Sequence, residues 1–205
     1  SERIGTSNSM TVSQALSQFI ADYENQNKVL TEVYDSEWRS PCEIGSPFTD
    51  NSGVKRIRWR PIKQNHQKNE IELERFERAI NMEIHPDIKE YYGSYWSAGL
   101  EANTAQGAVS LILLWNNDDA ERLIENLVGH TIERHRLKAP LTTFFACTEQ
   151  DSELILTIDN KSGRVLLEKP GKKEVEIIAR SLKEFLCDLT PADASRHPEQ
   201  TAKHR

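Results

Sequence analysis

Apolar positions along the chain recur with two periods, and the places where the period changes divide it into elements. Val12, Leu16, Phe19, Ile20 and Tyr23 fall at helical spacing, and the pattern fades by about Asn27. Thr11 precedes them as an N-cap, with Gln14 placed to complete a capping box. Residues 36–62 read as loop and short strands. Pro41 pushes Ser40 into an extended turn, Asp50-Asn51-Ser52-Gly53 is a turn signal, and Ile57 and Trp59 alternate with Arg58 and Arg60 as a half-buried strand. A second helix is predicted from Glu70 to Ile80, with Ile71, Leu73, Phe76, Ala79 and Ile80 inward. Pro86 then opens a third, with Ile88, Tyr91, Tyr92 and Tyr95 on its aromatic face and an end before Gly99. His85, just before that proline, reads as a capping or packing residue.

The stretch from Val109 to Thr148 organises the rest. An apolar strand, Val109 to Trp115, breaks at Asn116-Asn117-Asp118-Asp119. A helix follows with Leu123, Ile124, Leu127 and Val128 on one buried face. Gly129 and the basic segment His135–Lys138 come next, then Pro140 and a second apolar strand from Leu141 to Cys147. Glu153–Asp159 and Arg164–Glu168 are predicted to pair as a hairpin around Asn160-Lys161-Ser162-Gly163. Val175, Ile177 and Ile178 form a short strand; Ser181 and Glu184 cap a last helix burying Leu182, Phe185, Leu186 and Leu189, which Pro191 stops. Helices first, then strands with one helix among them and a closing helix, indicate an α+β fold with a mixed or antiparallel sheet flanked by helices.

The polar ends fall outside this pattern. Residues 1–9 read as a leader to be excluded from the fold, 10–190 as one domain, and 191–205 as a disordered tail. Of the formal net charge of −6, residues 1–9 carry none and 191–205 carry +1, so the body is at −7. An acidic body argues against nucleic acid and against direct attraction to anionic lipid, and favours a basic partner. The basic strand at Lys55–Arg60 carries one tryptophan, which is a faint nucleic-acid signal; a solvated strand face is the reading preferred here. Three widely spaced cysteines, Cys42, Cys147 and Cys187, fit reduced thiols in the cytosol. No apolar run approaches the roughly 20 residues needed to span a bilayer.

Catalytic signatures are missing from the sequence: there is no Gly-rich phosphate loop, nucleophile elbow or His-Glu-x-x-His, and the chain is read as a non-enzyme without cofactor. His130 and His135 fall on different helical faces, a poor zinc pair. Asp118 and Asp119 with Glu125 could surround a divalent ion, but adjacent acids at a helix start more commonly cap it and meet its dipole. What stands out is acid at the ends of the central elements. Asp118, Asp119, Glu121 and Glu125 face only Arg122 between residues 116 and 126, and Glu149, Asp151, Glu153 and Asp159 face no cation between 146 and 159. These eight are the candidate partner-binding residues.

The ordered set of local motifs resembles the Syd family of the SUKH superfamily. It includes Ser40-Pro41-Cys42, Trp59-x-Pro61, Phe76-Glu77-Arg78-Ala79 and Ile84-x-Pro86-x-Ile88. It continues through Trp115-Asn116-x-Asp118-Asp119, Glu125-Asn126-Leu127-Val128-Gly129-His130 and Arg136-Leu137-Lys138-x-Pro140. Asn160-x-Ser162-Gly163-x-Val165, Leu182-x-Glu184-Phe185-Leu186 and Leu189-x-Pro191 complete it. The resemblance implies a single SUKH-like domain that binds SecY, a translocon subunit, at the cytoplasmic side of the inner membrane, touching the membrane only through that partner. Other SUKH-type domains resemble immunity proteins that neutralise toxins, and an acidic face would also suit a basic toxin nuclease.

Overall fold

A computed structural model describes residues 10–65, 73–149 and 151–197. The first helix, α1 (Val12–Gln26), starts where the capping pattern places it: Gln14 N–H donates to Thr11 Oγ1 at 3.1 Å and Thr11 N–H to Gln14 Oε1 at 2.9 Å. Its apolar face, Val12 to Tyr23, is buried. The chain then forms a small antiparallel sheet of β1 (Leu30–Val33), β2 (Glu43–Thr49) and β3 (Lys55–Trp59), with β3 in the middle. Ile57 and Trp59 point inward, and Arg58 is exposed. β1 escapes the sequence pattern because its inward positions are Leu30 and Glu32, a charge where alternation calls for an apolar residue.

Two predicted helices depart from the expectation where the structure describes them. α2 is described from Glu74 to Ile80, the expected start at 70–72 lying outside the described residues; Ala79, expected inward, is exposed. α3 (Pro86–Tyr92) opens with His85 as its cap, Nδ1 accepting from the Asp87 N–H at 3.1 Å. It stops at Gly93 rather than reaching Gly99, because Gly disfavours helix and Ser94 bonds back to the Glu90 carbonyl. Tyr95–Trp96 is instead a short strand, β5, paired with β4 (Ile62–Lys63).

The main sheet has seven strands, all antiparallel to their neighbours, in the order β11-β10-β9-β8-β7-β6-β12. They are β6 (Leu100–Thr104), β7 (Gly107–Leu111), β8 (Thr142–Cys147), β9 (Ile155–Asp159), β10 (Val165–Glu168), β11 (Val175–Ala179) and β12 (Thr190–Pro191). The strand expected over 109–115 ends at Leu111; beyond it Leu114 makes a parallel bridge to Trp96. Between β7 and β8 lies α4 (Asn117–Arg136), which passes through Gly129 without a break. The last helix, α5 (Leu182–Asp188), is capped by Ser181 as predicted.

Adjacent residues of a strand face opposite ways, and β8 uses both directions. Phe145 stacks edge-on against Tyr91 of α3 and Phe185 of α5, while Phe144 meets His130 of α4. Helices α3 and α5 therefore cover one face and α4 the other. The tail expected to be disordered from 191 is seated on the sheet through residue 197: β12 pairs with β6, and a single 3-10 turn forms at Ala194–Arg196. Residues 198–205 lie outside the described residues.

Candidate partner-binding site

The site begins at the α4 N-terminus. Asn116 caps it, Oδ1 accepting from the Asp119 N–H at 2.8 Å, while its amide donates to the Arg39 carbonyl at 2.9 Å. Asp119 reaches back and accepts from the Trp115 N–H at 2.9 Å. The turn is fixed from below by Ser40, whose hydroxyl donates to the Trp115 carbonyl at 2.7 Å, and by Trp59, edge-on to Trp115 at 5.6 Å. Two adjacent acids are thus held at the positive end of a helix dipole on a rigid turn.

Next to this turn the sheet opens. β7 pairs with β6 along its whole length but with β8 only at Ser110↔Cys147 and Leu111↔Ala146. Where the strands part, a pocket of about 700 Å3 forms, lined by Glu101, Ser110, Asp119, Cys147 and Glu149, with Arg196 and His197 at its wall. A smaller hollow of about 250 Å3 shares Glu149 and has an apolar floor that includes Val109, Leu156 and Phe185.

The structure sorts the eight predicted acids. Asp119 and Glu149, from different elements, line the pocket together. Asp118 and Asp151 are exposed beside them in the chain. Glu121 pairs with Arg75 of α2, and Glu153 stands 3.7 Å from Lys169, so both are partly neutralised. Glu125 is exposed farther along α4. Asp159 is elsewhere. It closes the β9–β10 turn, accepting from the Ser162 N–H at 2.9 Å. Because Thr142↔Asp159 and Cys147↔Ile155 mark opposite ends of the β8–β9 ladder, Asp159 sits roughly 16 Å from the Glu149 end.

Glu101 was not among the candidates. It is only 4% exposed, with Oε1 at 3.3 Å from Arg196 Nε and Oε2 at 3.8 Å from His197 Nδ1. Burial pushes its carboxyl up, but His197, Ser110 and Arg196 outweigh that and hold it below the ordinary carboxylate range. The one sequence signal was a charge set between Leu100 and Ala102. Among the described residues no group of three or more His, Cys, Asp or Glu is arranged to hold a metal ion, and no helix is long and apolar enough to cross a membrane.

The family model described as Syd protein (SUKH-2) matches residues 9–191. The chain belongs to the Syd family. It is 36% identical to Protein Syd of Colwellia psychrerythraea over 191 residues, 90% of this chain and 95% of that one. Protein Syd of Pseudoalteromonas atlantica is 34% identical over 185 residues, 88% of this chain and 96% of that one. Protein Syd of Hahella chejuensis reaches 44% over a shorter stretch of 115 residues, 56% of this chain and 59% of that one. The match to the Syd family model takes in the α4 turn, Glu101 and Glu149, and ends before Arg196 and His197.

Proposed function

We propose that this Syd-family chain binds the basic cytoplasmic loops of the translocon subunit SecY through the acidic rim around the pocket. The observation that carries the reading is the convergence of Asp119 from the α4 turn and Glu149 from the β8–β9 loop on one opening, with Asp118 and Asp151 exposed alongside. Cytoplasmic loops of membrane proteins are enriched in Lys and Arg. Carboxylates clustered at a concave mouth attract such loops, raise the encounter rate and lose grip as salt screens them. On this reading the protein works at the cytoplasmic side of the inner membrane, is held there by its partner rather than by lipid, and regulates or checks translocase assembly.

The test is capture of detergent-solubilised SecY complex across a salt series of about 50 to about 500 mM, where the Debye length falls severalfold. The Asp118→Lys/Glu149→Lys variant is run alongside; both positions are exposed, so the fold tolerates the change. Capture that weakens with salt and drops at least tenfold in the variant supports the reading. Capture indifferent to both moves the docking surface off the rim, and no capture by the folded protein rejects SecY as the partner.

A further inference from the structure

The pocket already contains a guanidinium, and it comes from the chain itself. After α5, the backbone of β12 leads to Ala192, whose N–H donates to the Glu101 carbonyl at 2.9 Å. Asn27 grips the segment from the other side, donating to the Ala192 carbonyl at 3.1 Å and accepting from the Ala194 N–H at 2.9 Å. Asp193 then accepts from the Ser195 N–H at 2.8 Å, shaping the turn that aims Arg196 at the sheet. Arg196 donates through Nη1 to Asn103 Oδ1 at 2.8 Å and through Nη2 to the carbonyls of Ala102 and Val109, with Nε toward Glu101. A planar fork of donors spread over a carboxylate, an amide and two carbonyls is a site shaped for a guanidinium rather than for an ammonium. His197 follows and lies over Gly99, where a Cβ would stand 2.5 Å from its ring.

The fit is incomplete. Among the described residues, Glu101 Oε2 and both ring nitrogens of His197 are buried with no partner at hydrogen-bond distance, His197 Nδ1 standing 3.8 Å from Oε2. The bonds of Arg196 go to Glu101, Asn103, Ala102 and Val109, which leaves Glu149 and the wider opening for something else. We infer that Asp193–His197 is a tethered stand-in that occupies the Glu101 subsite in cis, and that an arginine-bearing segment of a basic partner displaces it. This rests on the acidic rim being the docking surface. A tethered competitor acts at high effective concentration, so the apparent affinity for the partner is reduced by the fraction of molecules in which the subsite is filled. The segment lies beyond the stretch matched to the Syd family model, so the brake is carried by residues outside that match.

The probe is a fluorescein-labelled hexa-arginine peptide, followed by anisotropy at low salt with the full chain. Arg196→Gln/His197→Gln removes the stand-in, and Gly99→Ala pushes the His197 ring away while leaving every charge in place. Both variants are expected to bind the peptide about fivefold or more tighter than the parent. Adding Glu101→Gln to the double variant removes that gain. In the parent, saturating peptide should speed amide exchange at Ala194. Unchanged or weaker binding in both variants, or unchanged exchange at Ala194, overturns the inference; the exchange measurement stands even where a variant folds poorly. If the parent still binds the peptide in a manner that depends on Asp118 and Glu149, only the cis occupancy fails. If no form binds the peptide or SecY, the docking reading falls with it.

Discussion

Arg134 of α4 and Glu168 of β10 stand 3.4 Å apart with exposures of only 3% and 2%. Glu168 Oε2 accepts from the hydroxyls of Thr142 at 2.8 Å and Thr157 at 2.9 Å, and its Oε1 faces His130 Nε2, also at 3.4 Å. The Thr142 hydroxyl has one hydrogen, and it is donated to Glu168. Its oxygen therefore accepts from His130 Nε2 at 2.9 Å, which places the ring proton on Nε2. Arg134 Nε donates to the Pro140 carbonyl at 2.9 Å. This network fastens the C-terminal half of α4 to the sheet, at the opposite end of the helix from Asp118 and Asp119.

Arg134 and Glu168 should therefore act as a unit, so that their losses do not add. Glu168→Gln keeps the shape but leaves the Arg134 charge buried without its counter-ion, and should cost about 3–5 kcal/mol. Arg134→Met/Glu168→Leu should cost less than the sum of its single changes. Urea unfolding of the three variants measures both; additive losses would mean that the pair does not act as a unit.

Burial holds His130 below its ordinary pKa of 6.5, with Arg134 adding to that and Glu168 and Glu133 opposing it. The folded state thus binds the proton less readily than the unfolded one. Its contribution is fully present above 6.5 and is lost as pH falls from there toward the lower folded value. Stability should rise with pH across that window, and His130→Gln should flatten the rise. A slope that survives the substitution assigns it to another group.

Gly163 has φ +77°, and a Cβ there would stand 2.6 Å from His85 Nε2. Gly163→Ala meets both backbone strain and the histidine that caps α3, so a loss of more than about 1 kcal/mol is expected by thermal unfolding. Gly171, also at positive φ but in open space, should lose less on the same change.

Thiol labelling separates the three cysteines. Burial pushes the Cys42 thiol up to about 12, and it should not react with iodoacetamide in the folded protein. Cys147 and Cys187 are exposed and should react, slowly, because partial burial raises both thiols above their ordinary value. Cys147 lines the acidic pocket, so a bound basic peptide should protect it and leave Cys187 unaffected. Equal rates with and without peptide would place the peptide elsewhere.

The features legible in the sequence are those made by partners a few residues apart. The Thr11/Gln14 capping box, the Ser181 cap and the Asn160–Gly163 turn are all closed by bonds within four residues, so residue type and spacing suffice. The Syd resemblance rests on the same local motifs, as does the placing of Asp118 and Asp119 at a helix start. Strands β1 and β6 were missed because each buries a glutamate, Glu32 or Glu101, where the pattern calls for an apolar side chain. Glu101 is tolerated there because Arg196, 95 residues away, supplies the charge that offsets its desolvation. The tail looked disordered for the same reason: it lacks an apolar face of its own and is held by Asn27 and β6, which only the fold brings to it. Strand pairing then decided the site. It parts β7 from β8 to open a pocket beside Asp119 and Glu149, and it carries Asp159 to the far end of the ladder. Local spacing determines which residues can cap, turn or alternate. Which charges share a pocket depends on ladder register between distant segments, and that was settled by tertiary structure alone.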